Sequence, residues 1–364
     1  MTSQDSATAP PPDQPRPPSS RPRLTRWTWL VAAVLAILAA LAVLIVFRGI
    51  ERRTPHISRS DERPAASGAA VAGIFIEPED GRAPILEELD TARASISLIV
   101  YLLSDEETIM ALESAAARGI AVRVILEEHP FGGAGGQPEL FGRLQAAGIE
   151  VRWGDPVFRF THIKTAIVDD RVAIIMNQNL TYSAFTSNRE LGVITTRPED
   201  VAAAVAIFEA DWHRTGEVDA GPLIVSPANS RGELLALINR ARATLDIYAE
   251  VVRDEELLGA IVAAVERGVA VRLVMSGDPG DHNAEDRTWL AAAGVQVRLL
   301  SEVYIHAKMF LVDGSELFVG SQNMTATSLD QNRELGLILT ESGSIERAAK
   351  VFDRDFAAAR SEAP

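Results

Sequence analysis

The sequence predicts an α/β protein made of two similar halves, each a mixed sheet flanked by helices, behind a single N-terminal transmembrane helix. Three observations predict it. The second part of the chain repeats the first at a nearly constant spacing, apolar runs of strand length alternate with helical patterns in both copies, and one uncharged apolar run is long enough to cross a bilayer. Two related domains packed about a pseudo-twofold axis are the natural arrangement.

The N-terminal part predicts a membrane anchor. Residues 1–26 are rich in proline, serine and threonine and are typical of a disordered tail. Residues 27–47 carry no charge, and at 1.5 Å per residue they span roughly 30 Å. A cleaved signal peptide has a shorter apolar region of about 7–15 residues. We therefore expect an uncleaved transmembrane helix, followed by a polar linker over residues 48–69.

The charges around the predicted span do not determine its orientation. Four arginines precede it and four follow it within a short distance, so the positive-inside rule gives no preference. We expect a single-pass protein of the cell membrane with its catalytic part outside.

The rest of the chain is an internal duplication, predicted as repeat 1 over residues 70–218 and repeat 2 over residues 219–364. The matching segments are 115–126 with 264–275, 146–152 with 292–298, and 188–192 with 332–336. In repeat 1 a strand-like run (96–103), a helical pattern (106–118) and a second strand-like run (121–126) follow one another. This order predicts βα units.

Composition narrows the functional classes. The net charge is −15, and the part after residue 53 carries −19, which argues against non-specific nucleic-acid binding. Cysteine is absent, which excludes disulfides, thiolate metal sites and cysteine nucleophiles. Of the 35 basic residues only three are lysine, and two of these lie in matching contexts, His162-Ile-Lys164 and His306-Ala-Lys308.

The segments 162–179 and 306–323, which begin with these histidines, each predict a β-hairpin. Their two-residue turns are expected at Asp170-Arg171 and Gly314-Ser315. That register gives four facing pairs on one face of the hairpins: His162 with Asn179, Lys164 with Asn177, His306 with Asn323, and Lys308 with Ser321. Asp169 and Asp313 fall at an odd offset and are expected to stay outside the cluster.

Two such hairpins facing each other place two imidazoles and two ammonium groups around one cavity. This set suits a phosphodiester. One imidazole attacks phosphorus and the other protonates the leaving oxygen. The lysines and amides neutralise the non-bridging oxygens, so we expect neither a metal nor another cofactor. The residues alone do not tell which histidine attacks.

These residues resemble the two H-x-K-x(4)-D-x(6)-G-S-x-N motifs of the phospholipase D superfamily. The second copy matches every specified position, including Gly320, Ser321 and Asn323. The first has Met176-Asn177 in place of Gly-Ser, which we interpret as altered substrate fit. The resemblance covers roughly residues 70–360. The chain is similar to the minimal bacterial members of the superfamily, which include phospholipases D, cardiolipin-synthase-like transferases and nucleases.

The resemblance implies a role for each motif residue. His162 would form a phosphohistidine, and His306 would be the general acid and then the base. Asp169 and Asp313 would be structural. The phosphate would be held by Lys164, Lys308, Asn179, Asn323, Ser321 and Asn177. Glu190 and Glu334, each 28 residues after a histidine, lie where the family places a carboxylate that orients imidazole Nδ1.

The leading hypothesis is therefore a membrane-anchored phosphodiesterase acting on a phospholipid. A metal-independent endonuclease with the same site remains the alternative, and a scaffold that kept the fold and lost the chemistry is a third. Two weaker candidates lie near strand ends. The run Glu127-Glu128-His129 has the donors of a metal site without a counterpart in repeat 2, and Tyr248 and Glu250 are explained equally well as cavity lining and as core.

Overall fold

The computed structural model describes residues 72–133, 136–216, 219–277 and 283–361. We call residues 72–216 the first half and residues 219–361 the second half. The predicted tail, transmembrane segment 27–47 and linker lie outside the described residues. Within the described ranges, no helix is both long and apolar enough to cross a membrane.

The first half alternates strands and helices as the sequence predicts. Its strands are β1 Ala72–Glu77, β2 Ser95–Val100, β3 Ala121–Leu126, β4 Glu150–Trp153, β5 Lys164–Val168, β6 Val172–Met176 and β7 Asn188–Thr195. Its helices are α1 Ala83–Thr91, α2 Glu106–Ala117, α3 Gln137–Ala146, α4 Tyr182–Thr186 and α5 Pro198–His213.

The second half repeats this order of elements. Its strands are β8 Ile224–Ser226, β9 Thr244–Tyr248, β10 Ala270–Ser276, β11 Gln296–Leu300, β12 Tyr304–Ile305, β13 Met309–Val312, β14 Glu316–Gly320, β15 Glu334–Leu339 and β16 Arg360–Ser361. Its helices are α6 Ser230–Arg240, α7 Glu255–Glu266, α8 Ala284–Ala292, α9 Ala326–Asp330 and α10 Ser342–Ala358.

The two sheets share one order of seven strands; β16 extends the second sheet, and β12 of the second half adds to the first sheet beside β7. The first runs β1-β7-β6-β5-β2-β3-β4, and the second runs β8-β15-β14-β13-β9-β10-β11-β16. In each, the strands joined by helical crossovers are parallel and the hairpin strands are antiparallel. Two similar mixed α/β halves are thereby confirmed.

Local sequence signals recur with the topology. The N-cap of α2 is Asp105, whose carboxylate accepts a hydrogen bond from Thr108 N, and the N-cap of α7 is Asp254, which accepts one from Leu257 N. Each cap satisfies an amide that the first helical turn leaves without an intrahelical partner. The duplication thus preserves the helix starts as well as the strands.

The apolar core forms three clusters. One belongs to each half separately, where helices cover one face of each sheet. The third is shared and includes Ile167 and Val193 of the first sheet, Leu311 and Val319 of the second, and side chains of α5 and α10. Because this shared cluster draws on both halves, burial of apolar surface stabilises their contact.

Ion pairs also cross between the halves. Arg189 of the first half binds Asp355 at 2.6 Å, and Arg333 of the second half binds Asp211 at 2.8 Å. All four side chains are almost completely buried, so each charge is compensated where water does not reach it. These arginines belong to the repeated Asn-Arg-Glu-Leu-Gly segments.

The hairpin register differs from the prediction by one residue. Val168 pairs with Val172 and Val312 pairs with Glu316, so three residues, not two, form each turn. The backbone of Asp169 and of Asp313 adopts positive φ values of 53° and 50°, which a longer turn accommodates.

The predicted facing pairs are wrong as a consequence. By the observed register Met176 aligns with Lys164 and Gly320 with Lys308, where Asn177 and Ser321 were expected.

Candidate active site

Each motif histidine enters the candidate site from a segment paired with the other half. His162 N donates to Arg333 O at 2.8 Å, and His306 N donates to Arg189 O at 3.2 Å. In addition, β12 pairs in parallel with β7, and Thr161 forms a bridge with Arg333. The backbone therefore fixes each histidine against the strand that carries the carboxylate of the opposite half.

The histidine–carboxylate pairs cross between the halves. His162 Nδ1 lies 2.7 Å from Glu334 Oε2, and His306 Nδ1 lies 2.8 Å from Glu190 Oε2. Both carboxylates are fully buried. The sequence places each glutamate 28 residues after the histidine of its own repeat, but β7 and β15 carry them to the partner histidine. Each imidazole thus has its tautomer and orientation set by the opposite half.

A second layer of donors holds the carboxylates. Glu334 Oε1 accepts from Ser328 Oγ at 2.6 Å and from Asn332 Nδ2 at 2.9 Å. Glu190 Oε1 accepts from Asn188 Nδ2 at 3.1 Å. Sequence reasoning missed these residues, although Asn188 and Asn332 begin the repeated Asn-Arg-Glu-Leu-Gly segment and that repetition was the available signal.

The two lysines lie at equivalent buried positions. Lys164 Nζ donates to His162 O at 2.8 Å, and Lys308 Nζ donates to His306 O at 2.6 Å. Burial is the main cause that lowers the pKa of Lys164 to about 7. A phosphate bound beside Lys164 favours the protonated form of the lysine, so this buried group is well suited to receive an anion.

The surroundings of the lysines break the symmetry. Lys308 Nζ also binds Glu250 Oε2 at 2.7 Å, whereas Lys164 Nζ lies 5.1 Å from the centre of the Tyr101 ring. Tyr101 follows Val100, which pairs with Lys164. Because Tyr248 pairs with Met309, Glu250 likewise follows the residue that aligns with Lys308, and it therefore occupies the place of Tyr101. Of the two residues that the sequence left open between cavity lining and core, Tyr248 is core and donates to Asp355 Oδ2, whereas Glu250 lines the site.

His162 is a neutral base at ordinary pH. Burial is the main cause that lowers its pKa to about 4. The charge of Glu334 raises this pKa, and the charges of Lys164 and Lys308 lower it. Burial would raise the pKa of Glu334, but His162 and Lys164 outweigh it and hold that pKa below its usual value. A neutral imidazole with Nδ1 on a carboxylate presents Nε2 as its free nitrogen.

The motif amides and the serine lie around this cluster with different contacts. Asn177 Oδ1 accepts from Leu191 N at 2.9 Å, and Ser321 Oγ accepts from Leu335 N at 3.1 Å, so the two occupy equivalent places. The Nδ2 of Asn177 is buried without a partner among the described residues. The Oδ1 atoms of Asn179 and Asn323 are likewise buried and unpartnered within the described part of the chain.

The motif aspartates bind backbone amides. Asp169 accepts from the amides of Arg93, Ala94 and Ser95, and Asp313 accepts from the amides of Arg242, Ala243 and Thr244, at 2.7–3.2 Å. They therefore connect each hairpin turn to the start of β2 or β9 and the two residues before it.

In the run Glu127-Glu128-His129, the carboxylate of Glu127 accepts hydrogen bonds from backbone amides, and Glu128 and His129 are exposed. Glu127 accepts from Thr161 N at 2.6 Å and from His129 N at 2.8 Å, which fixes the chain just before His162. Across the described ranges, no group of three or more histidine, aspartate or glutamate side chains is arranged to hold a metal ion.

Two imidazoles on buried carboxylates, with two buried ammonium groups beside them, define a class of protein: an enzyme that transfers or hydrolyses a phosphodiester. Residues 85–212 and 234–356 match the family model described as "Cardiolipin synthase, PLD-like domain". The chain belongs to this family of the phospholipase D superfamily, which confirms the resemblance seen in the motifs. It is an enzyme of the phosphatidyltransferase or phosphodiesterase type.

Individual relatives agree with this assignment. Cardiolipin synthase B of Salmonella typhi is 26% identical over 308 residues, covering 70% of this chain and 73% of the relative. The human mitochondrial cardiolipin hydrolase is 29% identical over 242 residues, covering 60% of this chain and 93% of the relative. The crystal structure of phosphatidylserine synthase from Haemophilus influenzae Rd KW20 matches with a TM-score of 0.64 at 12% identity, covering 80% and 87% of the two chains, and shows the shared fold.

Proposed function

We propose that the protein cleaves or exchanges the head group of a phospholipid through a phosphohistidine intermediate. The observation that carries the proposal is the crossed arrangement, in which two imidazoles with carboxylate-bound Nδ1 atoms share one site with two buried lysines. The names of the relatives support a lipid as the substrate.

In the first step Nε2 of His162 attacks phosphorus, and a P–N bond forms while the P–O bond to the leaving alcohol breaks. His306 gives its proton to that departing oxygen. In the second step His306 takes a proton from water or an acceptor alcohol, whose oxygen attacks phosphorus and releases His162. The low pKa of His162, about 4, supports its role as the nucleophile because the ring is neutral at physiological pH.

The non-bridging phosphate oxygens carry charge through both steps. Lys164 and Lys308 are the buried cations beside the histidines, and Asn177 Nδ2 is a buried donor without a partner in the described structure. We assign phosphate binding to these groups together with Ser321, Asn179 and Asn323. Preorganised donors in a site shielded from water stabilise developing charge without reorganisation.

The substrate is tested by incubating the full-length protein with labelled phosphatidylglycerol, phosphatidylcholine and single-stranded DNA, with a primary alcohol and a chelator present. We expect a phosphatidyl-alcohol product and no DNA cleavage. DNA cleavage without lipid turnover would replace the lipid by a nucleic acid, and strict dependence on a divalent metal would contradict the histidine mechanism.

The intermediate is tested with a soluble phosphodiester that has a p-nitrophenolate leaving group. Such a group departs without an acid, so His306→Ala is expected to form the phosphohistidine and then accumulate it. Intact-protein mass spectrometry detects the adduct. His162→Ala is expected to give neither the adduct nor a burst of p-nitrophenolate. Lys350→Ala, which removes the one lysine outside the motifs, is the control and is expected to keep its turnover unchanged. An adduct on His306 would reverse the assignment.

We further propose that residues 27–47 anchor the protein in the cell membrane with the catalytic part outside. The 21-residue uncharged run supports an anchor because it matches the bilayer core in length. Carbonate extraction of membranes tests the anchor, and protease treatment of intact cells tests the side. Release of the protein by carbonate would contradict the first proposal, and protection from protease the second.

A further inference from the structure

The two halves differ in charge at two positions next to the histidines. Glu250 stands where the first half has Tyr101. Glu77 pairs with Glu190 across the sheet, in the place where the second half pairs Ser226 with Glu334. Both extra carboxyl groups therefore lie on the side of His306.

Only one of the two carries charge at neutral pH. Burial is the main cause that raises the pKa of Glu77 to about 8, so this carboxyl group is protonated. Burial would also raise the pKa of Glu250, but the charges of His306 and Lys308 outweigh it and hold that pKa far below its usual value. Glu250 is therefore the ionised one.

Carboxylates lie on both nitrogens of the His306 ring. Its Nδ1 is 2.8 Å from Glu190 Oε2, and its Nε2 is 3.5 Å from Glu250 Oε2. A neutral imidazole has a single N–H and satisfies one of these acceptors, whereas the imidazolium ion donates from both nitrogens. The second carboxylate therefore favours the charged ring.

Among the described residues, no second carboxylate lies against His162. Its Nδ1 binds Glu334, and its ring packs edge-on against Tyr101 with centroids 4.5 Å apart. Within the described ranges, Glu334 is the one carboxylate with an oxygen within 4.0 Å of a nitrogen of this ring. Position by position, the duplicated site thus presents an aromatic ring to one histidine and a carboxylate to the other.

We propose that Glu250 is a positioning residue that keeps the proton on His306, so that this ring starts the reaction as the general acid. The inference rests on the proposed two-histidine mechanism and adds to it the group that makes the two histidines unequal. Glu250 stays ionised throughout. The proton leaves His306 Nε2 with the departing alcohol and returns from the attacking water or alcohol.

The titratable groups around His306 come from several elements. The charged ones are Glu190 on β7, Glu250 after β9, Lys308 before β13, and, across the site, Lys164 and Glu334; the neutral titratable ones are His162, Glu77 beside Glu190, and Tyr304, whose hydroxyl donates to Glu250. Lys308 shares Glu250 with His306, and its positive charge opposes protonation of the ring. A phosphate that engages Lys308 leaves Glu250 to the imidazolium.

The test measures the protonation state of His306 directly by NMR. Full-length protein labelled with ¹⁵N-histidine is compared with Glu250→Gln at pH 7, and the signals of His306 are identified by their loss in His306→Ala. We expect the imidazolium fraction of His306 to fall by at least about threefold in Glu250→Gln, since removal of a charge at this distance changes proton affinity substantially. Glu128→Gln, an exposed glutamate near the site, is the control and leaves the fraction unchanged.

Kinetics supply the second readout. In Glu250→Gln the alkaline limb of the kcat–pH profile is expected to move to lower pH, while KM does not rise because Lys308 is freed for phosphate. If Glu250→Gln folds poorly, Glu250→Tyr takes its place in the test. This variant carries the residue that the first half has at the equivalent position, and the same changes are expected. An unchanged imidazolium fraction in both variants overturns the inference. Because the NMR readout needs no substrate, absence of lipid turnover counts against the proposed function alone.

Discussion

Glu334 of the second half holds Nδ1 of His162 of the first half at 2.7 Å, and Glu190 holds His306 in the reciprocal way at 2.8 Å. For both motif histidines, the carboxylate that binds Nδ1 comes from the opposite half. The buried pairs Arg189–Asp355 and Arg333–Asp211 cross between the halves in the same manner. The geometry of the candidate site therefore depends on the contact between the halves, and not only on the fold of each.

Glu334→Gln is expected to lower kcat by about 10²–10⁴-fold, because the amide no longer stabilises the ring charge that develops when His162 attacks phosphorus. Release of p-nitrophenolate in stopped flow measures the effect on the first step. Glu190→Gln is expected to slow chiefly the breakdown of the intermediate when the leaving group needs no acid. Equal effects of both variants on the first step would contradict the division of roles.

The architecture was predictable because it follows from patterns within the chain. The duplication, the alternation of strands and helices and the doubled His-x-Lys context identified two mixed α/β halves and the residues His162, Lys164, His306 and Lys308. What failed was the hairpin register, since the sequence does not show that Asp169 and Asp313 adopt positive φ and lengthen the turns to three residues.

The crossed pairs were not predictable for a different reason. Spacing along one repeat associates Glu190 with His162, whereas the actual pairing depends on how the two sheets pack. The roles of Glu250 and Tyr101 likewise require the observed pairing of β9 with β13 and of β2 with β5. Contacts between the halves are tertiary information that a repeat alignment does not contain.

The acid limb of activity is expected near pH 4. The pKa of His162 is lowered to about 4, mainly by burial, so the ring is neutral and nucleophilic above that pH and protonated below it. A plot of log kcat/KM for a soluble phosphodiester should rise with unit slope up to about pH 4 and then level off. Circular dichroism at each pH controls for unfolding, and an acid limb near pH 6.5 would show that burial does not shift this histidine.

Glu77→Gln is expected to remove a pH-dependent loss of stability. The folded-state pKa of Glu77 is about 8, against an ordinary value of 4.5, because the carboxyl group is buried. Its contribution to the free energy of unfolding is fully present below pH 4.5 and is lost as the pH rises through 8. The reason is that Glu77 ionises at a lower pH in the unfolded chain than in the folded protein. Glutamine does not ionise.

The melting temperature of Glu77→Gln relative to the wild type should therefore increase between pH 5 and pH 9. Differential scanning fluorimetry over this range measures it. Glu87→Gln, an exposed glutamate on α1, serves as the matched control with a constant difference. A difference that is equally constant for Glu77→Gln would mean that this group ionises normally in the folded protein.

Asp313→Ala is expected to destabilise the protein without removing its catalytic groups. The carboxylate accepts hydrogen bonds from the amides of Arg242, Ala243 and Thr244, and the residue has φ = 50°. Loss of these charged hydrogen bonds, together with the strain of a left-handed alanine, costs about 2–4 kcal/mol in the free energy of unfolding.

Asp313→Asn separates the two contributions, because asparagine tolerates positive φ and its Oδ1 still accepts hydrogen bonds. We expect it to lose about 1 kcal/mol, the difference between charged and neutral acceptors. Urea unfolding measures both variants, and kcat per folded molecule should stay within about twofold of the wild type because Asp313 binds backbone amides before β9. A variant that is stable but inactive would place Asp313 in the chemistry itself, and the hairpin would then have to present this carboxylate toward His306.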